Sequence, residues 1–222
     1  MSATNGEPTR SDSIRVRSAR IEDLSRIVAV LLASFYPKIQ PTNWFYWLMR
    51  IGIREDIKTR LKTDPGRYAC LVAASIDSAV AEGISSTISD EEDTAGRTRA
   101  GKVIGTVEMS LRPCESWRFF PPQRAYLSNL AVDHNYRRLG AAKQLLHTCE
   151  NVALQWGFHC LYLHVMADNQ AAQALYRQAG FQTCEVSNPV LAGLGLRAER
   201  LLLAKHIGQK KTQRAADENF RN

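Results

Sequence analysis

Cysteine is scarce in this sequence, and its five copies follow no pattern typical of a metal site or a disulfide framework. They are widely spaced along 222 residues and include no C-x-x-C pair. Three of them, Cys70, Cys149 and Cys160, fall within apolar patterns, which indicates small buried side chains in a reducing compartment. We therefore expect neither a bound metal nor a disulfide.

Long hydrophobic runs are missing as well. No window approaches 18 consecutive apolar residues, so no helix is expected to span a membrane. Residues 1–13 contain no hydrophobic stretch typical of a signal peptide, and they include the acidic residues Glu7 and Asp12. These absences predict a cytoplasmic protein without a membrane partner.

Long runs of like charge are also absent, although the chain has a net charge of +7 from 29 basic and 22 acidic residues. A basic balance is compatible with nucleic-acid binding, but such binding usually depends on clustered lysine and arginine. Part of the positive excess lies near the C-terminal end of the sequence, after Lys205. We therefore expect no nucleic-acid partner.

The hydrophobic pattern that is present predicts one domain of the α/β (α+β) class over residues 14–208. Strands and helices alternate only in part, and hairpins occur between them, which favours a mixed sheet. Residues 1–13 and 209–222 are predicted to be a disordered leader and tail, and residues near 75–101 a mobile loop, because they are rich in polar residues and lack periodicity. The predicted helices lie between Ile21 and Pro37, over Asn43–Leu61, over Gly140–Trp156 and from Asn169 to Gly180.

A short, positively charged turn precedes the third predicted helix. Arg137 and Arg138 are followed by Gly140, and then by Ala141 and Ala142, whose small side chains leave the backbone amides uncovered. The N-terminus of a helix carries unpaired N–H groups and a partial positive charge, which together attract anions. The pattern therefore fits an anion-binding turn, and it fits an ordinary solvated helix start equally well.

Two motifs resemble those of a known family. Val132 and the following Arg137–Ala142 resemble motif A of the GNAT superfamily of N-acetyltransferases, in which R/Q-x-x-G-x-G/A follows a strand. Asn169–Phe181 resembles motif B of that superfamily, N-x-x-A-x-x-L-Y-x-x-x-G-F, and the spacing between the motifs fits. The resemblance covers roughly Ile14–Ala204. The stretches that look closest to the plastid-type GNATs of plants and cyanobacteria are Trp44–Ile57, Tyr68–Ala73 and Leu161–Tyr176.

The resemblance implies a single GNAT domain, with a mixed, mostly antiparallel and splayed sheet flanked by helices. It also implies acetyl-CoA as the cofactor, with its diphosphate on the amides of the motif-A turn and its pantetheine arm along the preceding strand end. Ala142 stands where many members have glycine, which makes the turn slightly stiffer. The implied cofactor-binding residues are Leu130, Ala131, Val132, Arg137, Arg138, Leu139, Gly140, Ala141, Ala142, Lys143, Asn169, Gln170, Ala171 and Tyr176.

Acetyl transfer requires a neutral amine, and the difficulty of this step differs between acceptors. A lysine side chain has a pKa of ~10.4 and an α-amine one of ~7.7–8.0, so deprotonating lysine near pH 7.4 costs ~4 kcal/mol. Many GNATs carry a carboxylate in the strand that here holds Glu108, which makes Glu108 the candidate general base. A solvent-facing strand glutamate is the alternative. Asn129 and Ser128 either orient a water or are simply polar strand residues.

The leaving thiolate needs a proton donor, and the resemblance assigns this role to Tyr176, whose counterpart approaches the sulfur of the cofactor. The alternative for Tyr176 is a boundary tyrosine on an amphipathic helix. Asn169 precedes it by seven residues, about two helical turns, so both are expected on one side of the helix.

The resemblance also bears on the acceptor, because plastid-type members acetylate protein lysines and protein N-termini. We therefore expect acetyl transfer to protein amines by direct attack in a ternary complex. Two alternatives stay open: a small arylalkylamine acceptor, and an acyl-CoA-binding sensor without turnover. The aromatic cluster Trp44–Trp47 is either core or cleft wall, or else part of an acceptor pocket. The oligomeric state is left open.

Overall fold

The computed structural model describes residues 14–37, 44–62, 64–75, 101–113, 122–186 and 200–208. The predicted leader and tail, and nearly all of the predicted mobile loop, lie outside the described residues. The strands are β1 Ile14–Ser18, β2 Tyr68–Ser75, β3 Lys102–Pro113, β4 Gln123–Val132, β5 Cys160–Met166, β6 Gln182–Val186 and β7 Arg200–His206. The α-helices are α1 Leu24–Phe35, α2 Trp44–Arg60, α3 Ala141–Gln155 and α4 Gln170–Gln178.

The strands form one mixed sheet in the order β1-β2-β3-β4-β5-β7-β6. Strands β1 and β2 pair antiparallel, as do β5 with β7 and β6 with β7, whereas β4 and β5 pair in parallel. The predicted α/β (α+β) class with a mixed, mostly antiparallel sheet is therefore confirmed. The parallel pair follows from the connection through α3, since parallel neighbours require a crossover.

The contacts group the chain into two compact units. The first comprises Met1–Glu108 and Asn129–Leu145, and the second comprises Met109–Ser128 and Leu146–Asn222. Strands β3 and β4 each contribute residues to both units. The single domain over residues 14–208 stays a prediction.

The core of the first unit is built on α1. Apolar residues recur there every three or four positions, as an amphipathic helix requires. The buried residues of α1 are Leu24, Ile27, Val28, Val30, Leu31 and Leu32. They pack in one cluster with Ile57 of α2, with Val72 of β2 and with Val103 of β3. Burial of these side chains supplies most of the stabilisation of this unit.

The core of the second unit lies under β5 and β7. In β5 the buried residues Leu161, Leu163 and Val165 alternate with more exposed ones, the pattern of a strand with one face on a core. Buried residues of α3 in this unit include Leu146, Cys149 and Ala153. The strand predicted at Leu161–Val165 is thus confirmed, and β5 is longer than predicted by one residue at each end.

The aromatic cluster at the start of α2 is mostly not core, so the core interpretation was wrong, whereas a cleft wall or an acceptor pocket stays a prediction. Trp44 is 74% exposed and Trp47 is 53% exposed. Only Tyr46 of the cluster packs against the core, together with Met49 and Ile53 further along the helix. A helix buries one stripe, and four consecutive aromatic residues cannot all lie on it. Among the described helices, none is both long and apolar enough to cross a membrane.

Ile57 is the buried residue of α2 and is 1% exposed, whereas Ile51 of the same helix is 60% exposed. We expect Ile57→Ala to lower the free energy of unfolding by about 2–5 kcal/mol, because it removes buried methyl groups and leaves a cavity. Ile51→Ala is the matched control and should change that free energy by no more than about 0.5 kcal/mol. Chemical denaturation of both variants measures the difference. Equal effects would contradict the docking of α2 through Ile57.

Candidate functional site

The turn before α3 contains two residues in the left-handed region of backbone conformation. Arg138 has φ +66° and Gly140 has φ +89°. An ideal Cβ built on Gly140 would meet no atom within 4 Å, so glycine is favoured here by its φ and not by crowding. Arg138 lacks this freedom, and a non-glycine residue with positive φ is uncommon and marks a constrained position.

The backbone amides at this turn point out of the helix without helical acceptors. The N–H of Gln144 donates to the carbonyl of Gly140 at 3.1 Å and starts the helical ladder. The amides of the first turn ahead of it therefore have no intrahelical partner. The turn also carries the cationic side chains of Arg138 and Lys143. Uncovered amides beside positive charge form an anion-binding concavity, and a diphosphate group fits this donor set.

The end of β4 lies beside this turn in the first unit. Arg137 donates from Nε to the carbonyl of Val132 at 3.3 Å. The N–H of Asp133 donates to the carbonyl of Ile104 at 2.8 Å, which keeps the end of β4 paired to β3. Arg26 of α1 donates to the Asp133 carboxylate at 2.8 Å, so α1 also contacts the residue that follows β4.

β3 approaches β4 closely at Gly105. An ideal Cβ on Gly105 would lie 3.1 Å from the backbone oxygen of Ala131, tighter than ordinary contact. A side chain at this position would push the end of β4 away. The predicted cofactor strand Leu130–Val132 is thus approached by Gly105, and Arg26 fixes the adjoining Asp133; sequence reasoning identified neither Gly105 nor Arg26.

Glu108 is buried, so the solvent-facing alternative is wrong. The residue is 1% exposed, and its carboxylate accepts three hydrogen bonds. Oε2 accepts from the hydroxyl of Tyr68 at 2.9 Å and from the guanidinium of Arg60 at 3.1 Å. Oε1 accepts from Nδ2 of Asn129 at 2.7 Å. A buried carboxylate is tolerated when it is paired and hydrogen-bonded in this way.

The neighbours of Glu108 respond to its charge. Burial raises the pKa of the Tyr68 phenol, and the Glu108 carboxylate raises it further, so Tyr68 stays a hydrogen-bond donor. Partial burial works to lower the pKa of Arg60, but the Glu108 and Asp56 carboxylates outweigh it and raise that pKa. Arg60 also contacts the Asp56 carboxylate at 2.7 Å and is 41% exposed at its side chain.

Asn129 interrupts the extended conformation of β4, since its φ is +54°. Asparagine is one of the few residues that adopt this conformation readily. Its side chain is the one that donates to Glu108. The neighbouring Ser128, which belongs to the second unit, has a buried Oγ with no hydrogen-bond partner among the described residues. Whether either residue orients a water stays a prediction.

In the second unit, motif B forms the start and body of α4. Asn169 is the N-cap, and its side chain accepts from the N–H of Ala172 at 3.1 Å. Gln173 donates from Nε2 to the carbonyl of Ala167 at 2.7 Å, which fastens the helix start to the loop before it. Gln170 and Ala171 follow the cap directly. Their contact with a cofactor stays a prediction.

Tyr176 lies half-buried on α4, with its ring edge-on to Phe181 at a centroid distance of 5.8 Å. Burial raises the pKa of the Tyr176 phenol, and Tyr126 and Cys149 raise it further, to about 12. Tyr126 is buried, and its hydroxyl lies 2.7 Å from Nδ1 of His164. Tyr176 therefore keeps its proton throughout the neutral pH range.

The first unit thus brings together the turn, the end of β4 and Glu108, and the second unit brings together Asn169, the first residues of α4 and Tyr176. Sequence reasoning missed Arg60 and Tyr68, the partners of Glu108. These partners are 48 and 40 positions away in the chain, and nothing local in the sequence marks them.

Comparisons with known proteins agree with the two motifs. A family model described as "Acetyltransferase (GNAT) family" matches residues 74–181. The chloroplastic GCN5-related N-acetyltransferase 10 of Arabidopsis thaliana is 29% identical over 192 residues, which cover 84% of this chain and 68% of that protein. The chloroplastic GCN5-related N-acetyltransferase 4 of that plant is 29% identical over 189 residues, covering 81% of this chain and 64% of the relative. The chain thus spans about two thirds of the length of these relatives.

A bacterial relative and two solved structures extend the comparison. The [ribosomal protein bS18]-alanine N-acetyltransferase of Escherichia coli (strain K12) is 32% identical over 83 residues, covering 37% of this chain and 56% of that protein. The PaiA N-acetyltransferase of Thermoplasma acidophilum, solved in complex with coenzyme A, superposes with a TM-score of 0.58 at 18% identity, covering 87% of this chain and 99% of the other. The ribosomal-protein-S18-alanine N-acetyltransferase from Escherichia coli gives a TM-score of 0.52 at 18% identity, covering 90% and 99%. At this level of identity, the structures show a shared fold.

Proposed function

Because the chain belongs to the GNAT superfamily of N-acetyltransferases, we propose that it transfers the acetyl group of acetyl-CoA to amines of protein substrates. The observation that carries this proposal is the turn before α3. Two left-handed residues, Arg138 and Gly140, present the amides of a helix N-terminus beside positive charge. This geometry suits a diphosphate, an anionic part of coenzyme A.

In the first unit, the backbone amides of residues 138–143 would hold the diphosphate, and the edge of β4 at Leu130–Val132 would receive the pantetheine arm. The Nε of Arg137 already donates to the carbonyl of Val132, so its positive charge would lie close to the bound cofactor. Asn169, Gln170 and Ala171 are further proposed cofactor contacts, on the strength of the motif-B resemblance. When bound, acetyl-CoA supplies an acyl thioester that is activated toward attack by an amine.

The acceptors that we propose are N-terminal α-amines and lysine side chains of proteins. The Escherichia coli relative is named for the alanine of a ribosomal protein, which favours a protein acceptor. An α-amine is partly neutral near pH 7.4, and lysine needs more help from a base. The compartment is open: the Arabidopsis relatives are named as chloroplastic, and the cytoplasmic location of this chain stays a prediction.

Tyr176 is the proposed proton donor to the departing sulfur. Its pKa is raised to about 12, so the phenol stays protonated at neutral pH and is better suited to donate a hydrogen bond to the thiolate than to release its proton early. Such general acid help typically contributes ~10²–10⁴-fold to a rate. The hydroxyl of Tyr176 can act either by transferring its proton or by donating a hydrogen bond to the thiolate.

The function is tested by measuring CoA release from acetyl-CoA with three acceptors. These are a lysine-free peptide with a free N-terminus, an N-terminally blocked peptide that contains lysine, and 2-phenylethylamine. We expect release with the peptides, faster for the free N-terminus near pH 7.4. Release with 2-phenylethylamine alone would establish the arylalkylamine alternative. Tight acetyl-CoA binding without CoA release in the presence of any of the three acceptors would establish the sensor alternative.

Gly140→Val should weaken acetyl-CoA binding at least ~10-fold. A branched side chain disfavours the positive φ, so the backbone amides of the turn would lose charge-assisted hydrogen bonds to the diphosphate of ~1.5–3 kcal/mol each. Gly157→Val is the matched control, because Gly157 has φ +80° and equally open surroundings at the other end of α3. Isothermal titration calorimetry measures both. Unchanged affinity in the Gly140 variant, or equal loss in both variants, would remove the phosphate-site assignment.

Tyr176→Phe keeps the ring and its packing on Phe181 but loses the hydroxyl. We expect kcat to fall about 10-fold or more, with acetyl-CoA affinity and the unfolding temperature nearly unchanged. Tyr36→Phe, at a tyrosine that is 43% exposed, serves as the control. Steady-state CoA release is measured beside a binding titration. If chemistry limits the rate and kcat does not change, Tyr176 is only a boundary residue.

A further inference from the structure

We propose that Glu108 is a positioning residue: its carboxylate holds Asn129 in the left-handed conformation and so directs Leu130–Val132, the strand end that would receive acetyl-CoA. In this role Glu108 does not take the proton from the acceptor amine. The proposal deepens the proposed function and rests on it where it concerns the cofactor. It replaces the expectation that Glu108 is the general base.

The hydrogen bonds of Glu108 leave it poorly placed to act as a base. Both carboxylate oxygens are occupied, by Tyr68 and Arg60 on one and by Asn129 on the other, at 2.7–3.1 Å. The side chain is also 1% exposed. A general base must come within hydrogen-bond reach of the proton that it removes. Glu108 would have to give up one of these bonds to do so, and its carboxylate is too buried for water to replace the lost partner readily.

The bond to Asn129 is the one that reaches the predicted cofactor strand. A residue inside a strand normally has extended backbone, and asparagine tolerates both this and the positive φ that Asn129 adopts. The donation from Nδ2 to Glu108 at 2.7 Å favours the positive φ over the extended alternative. The backbone N–H and carbonyl groups of the next residues, Leu130–Val132, take their directions from this change of φ.

The other end of the same short segment is also fixed. Asp133 donates its N–H to Ile104 at 2.8 Å, and Gly105 lets the carbonyl of Ala131 approach β3. Leu130–Val132 therefore lies between two pinned points, Asn129 and Asp133. Releasing one of them changes the direction of the segment without unfolding the sheet. Glu108 in turn is held by Arg60 of α2 and Tyr68 of β2, so the pinned conformation depends on two further elements.

The test uses full-length variants at both partners. Asn129→Ala removes the bond and disfavours the positive φ, so the acetyl-CoA dissociation constant should rise at least ~10-fold. Asn129→Gly removes the bond but permits the φ, so the rise should be smaller. Glu108→Gln keeps an oxygen that can accept from Tyr68 and Arg60, and its amide N–H can donate to Oδ1 of Asn129 once the Asn129 amide turns over, so it should raise that constant less than Asn129→Ala does. Calorimetry measures the affinities, and circular dichroism checks that each variant is folded.

A double-mutant comparison shows whether Glu108 acts through Asn129. Glu108→Ala should raise the acetyl-CoA dissociation constant in the wild-type background. In the Asn129→Gly background it should have little further effect, because residue 129 then has no side chain to donate a hydrogen bond to Glu108. Additive effects would overturn the proposal. If Glu108→Ala does not fold, Asn129→Ala and Glu108→Gln decide the question alone.

The pH profile separates positioning from proton transfer. In Glu108→Gln we expect kcat/KM for the acceptor to depend on pH in the same way as in the wild type, whatever its absolute value. A kcat that falls at least ~100-fold near pH 7 and recovers at high pH, with unchanged acetyl-CoA affinity, would make Glu108 the base and overturn the proposal. Unchanged affinity in Asn129→Ala would overturn it as well.

One readout does not need the cofactor. Hydrogen exchange of the amides of Leu130–Val132 should be faster in Asn129→Ala than in wild type, without any ligand present. If wild-type protein binds no acetyl-CoA, the proposed function fails while this readout still tests the positioning role. Equal exchange rates in the two proteins would overturn the positioning role itself.

Discussion

The buried carboxylate of Glu108 is the interaction on which the arrangement of the first unit depends. A charge that is 1% exposed requires partners, and it finds them on α2, β2 and β4. Removing any one partner leaves the others with an incompletely satisfied charge, so the positions of the three elements are coupled. An apolar residue at this place would pack the sheet but would not fix the conformation of Asn129.

The same unit concentrates its unusual backbone in a short stretch of chain. Asn129 and Arg138 are the non-glycine residues with positive φ in the described part of the chain, and Gly140 follows closely. The residues between Asn129 and Gly140 comprise the strand end and the turn to which motif A assigns the cofactor. Strained conformations of this kind persist when surrounding contacts determine them, and they tend to lie at binding sites. Here the contacts come from Glu108 at one end and from Arg26, through Asp133, near the middle.

Local patterns in the sequence were enough to predict most elements and both motifs. The alternation in β5 and the helical spacing in α1 are short-range properties, and their elements appear within a few residues of the predicted bounds. The surroundings of Glu108 could not be predicted, because Tyr68 and Arg60 meet it only once the sheet and α2 have formed. The exposure of Trp44 was missed for a related reason: hydrophobic character favours burial, but the direction of the helix face decides it. The positive φ of Asn129 has no sequence signal beyond the tolerance of asparagine for it.

The central claim is that the amides of the turn before α3 bind the diphosphate of acetyl-CoA. Hydrogen exchange followed by mass spectrometry, with and without acetyl-CoA, tests it most directly at residues 138–143. These amides lack helical acceptors in the free protein, so we expect their exchange to slow markedly when acetyl-CoA binds, while the exposed end of α2 around Trp44 is unaffected. Binding that is demonstrated by calorimetry but leaves exchange at residues 138–143 unchanged would contradict the claim.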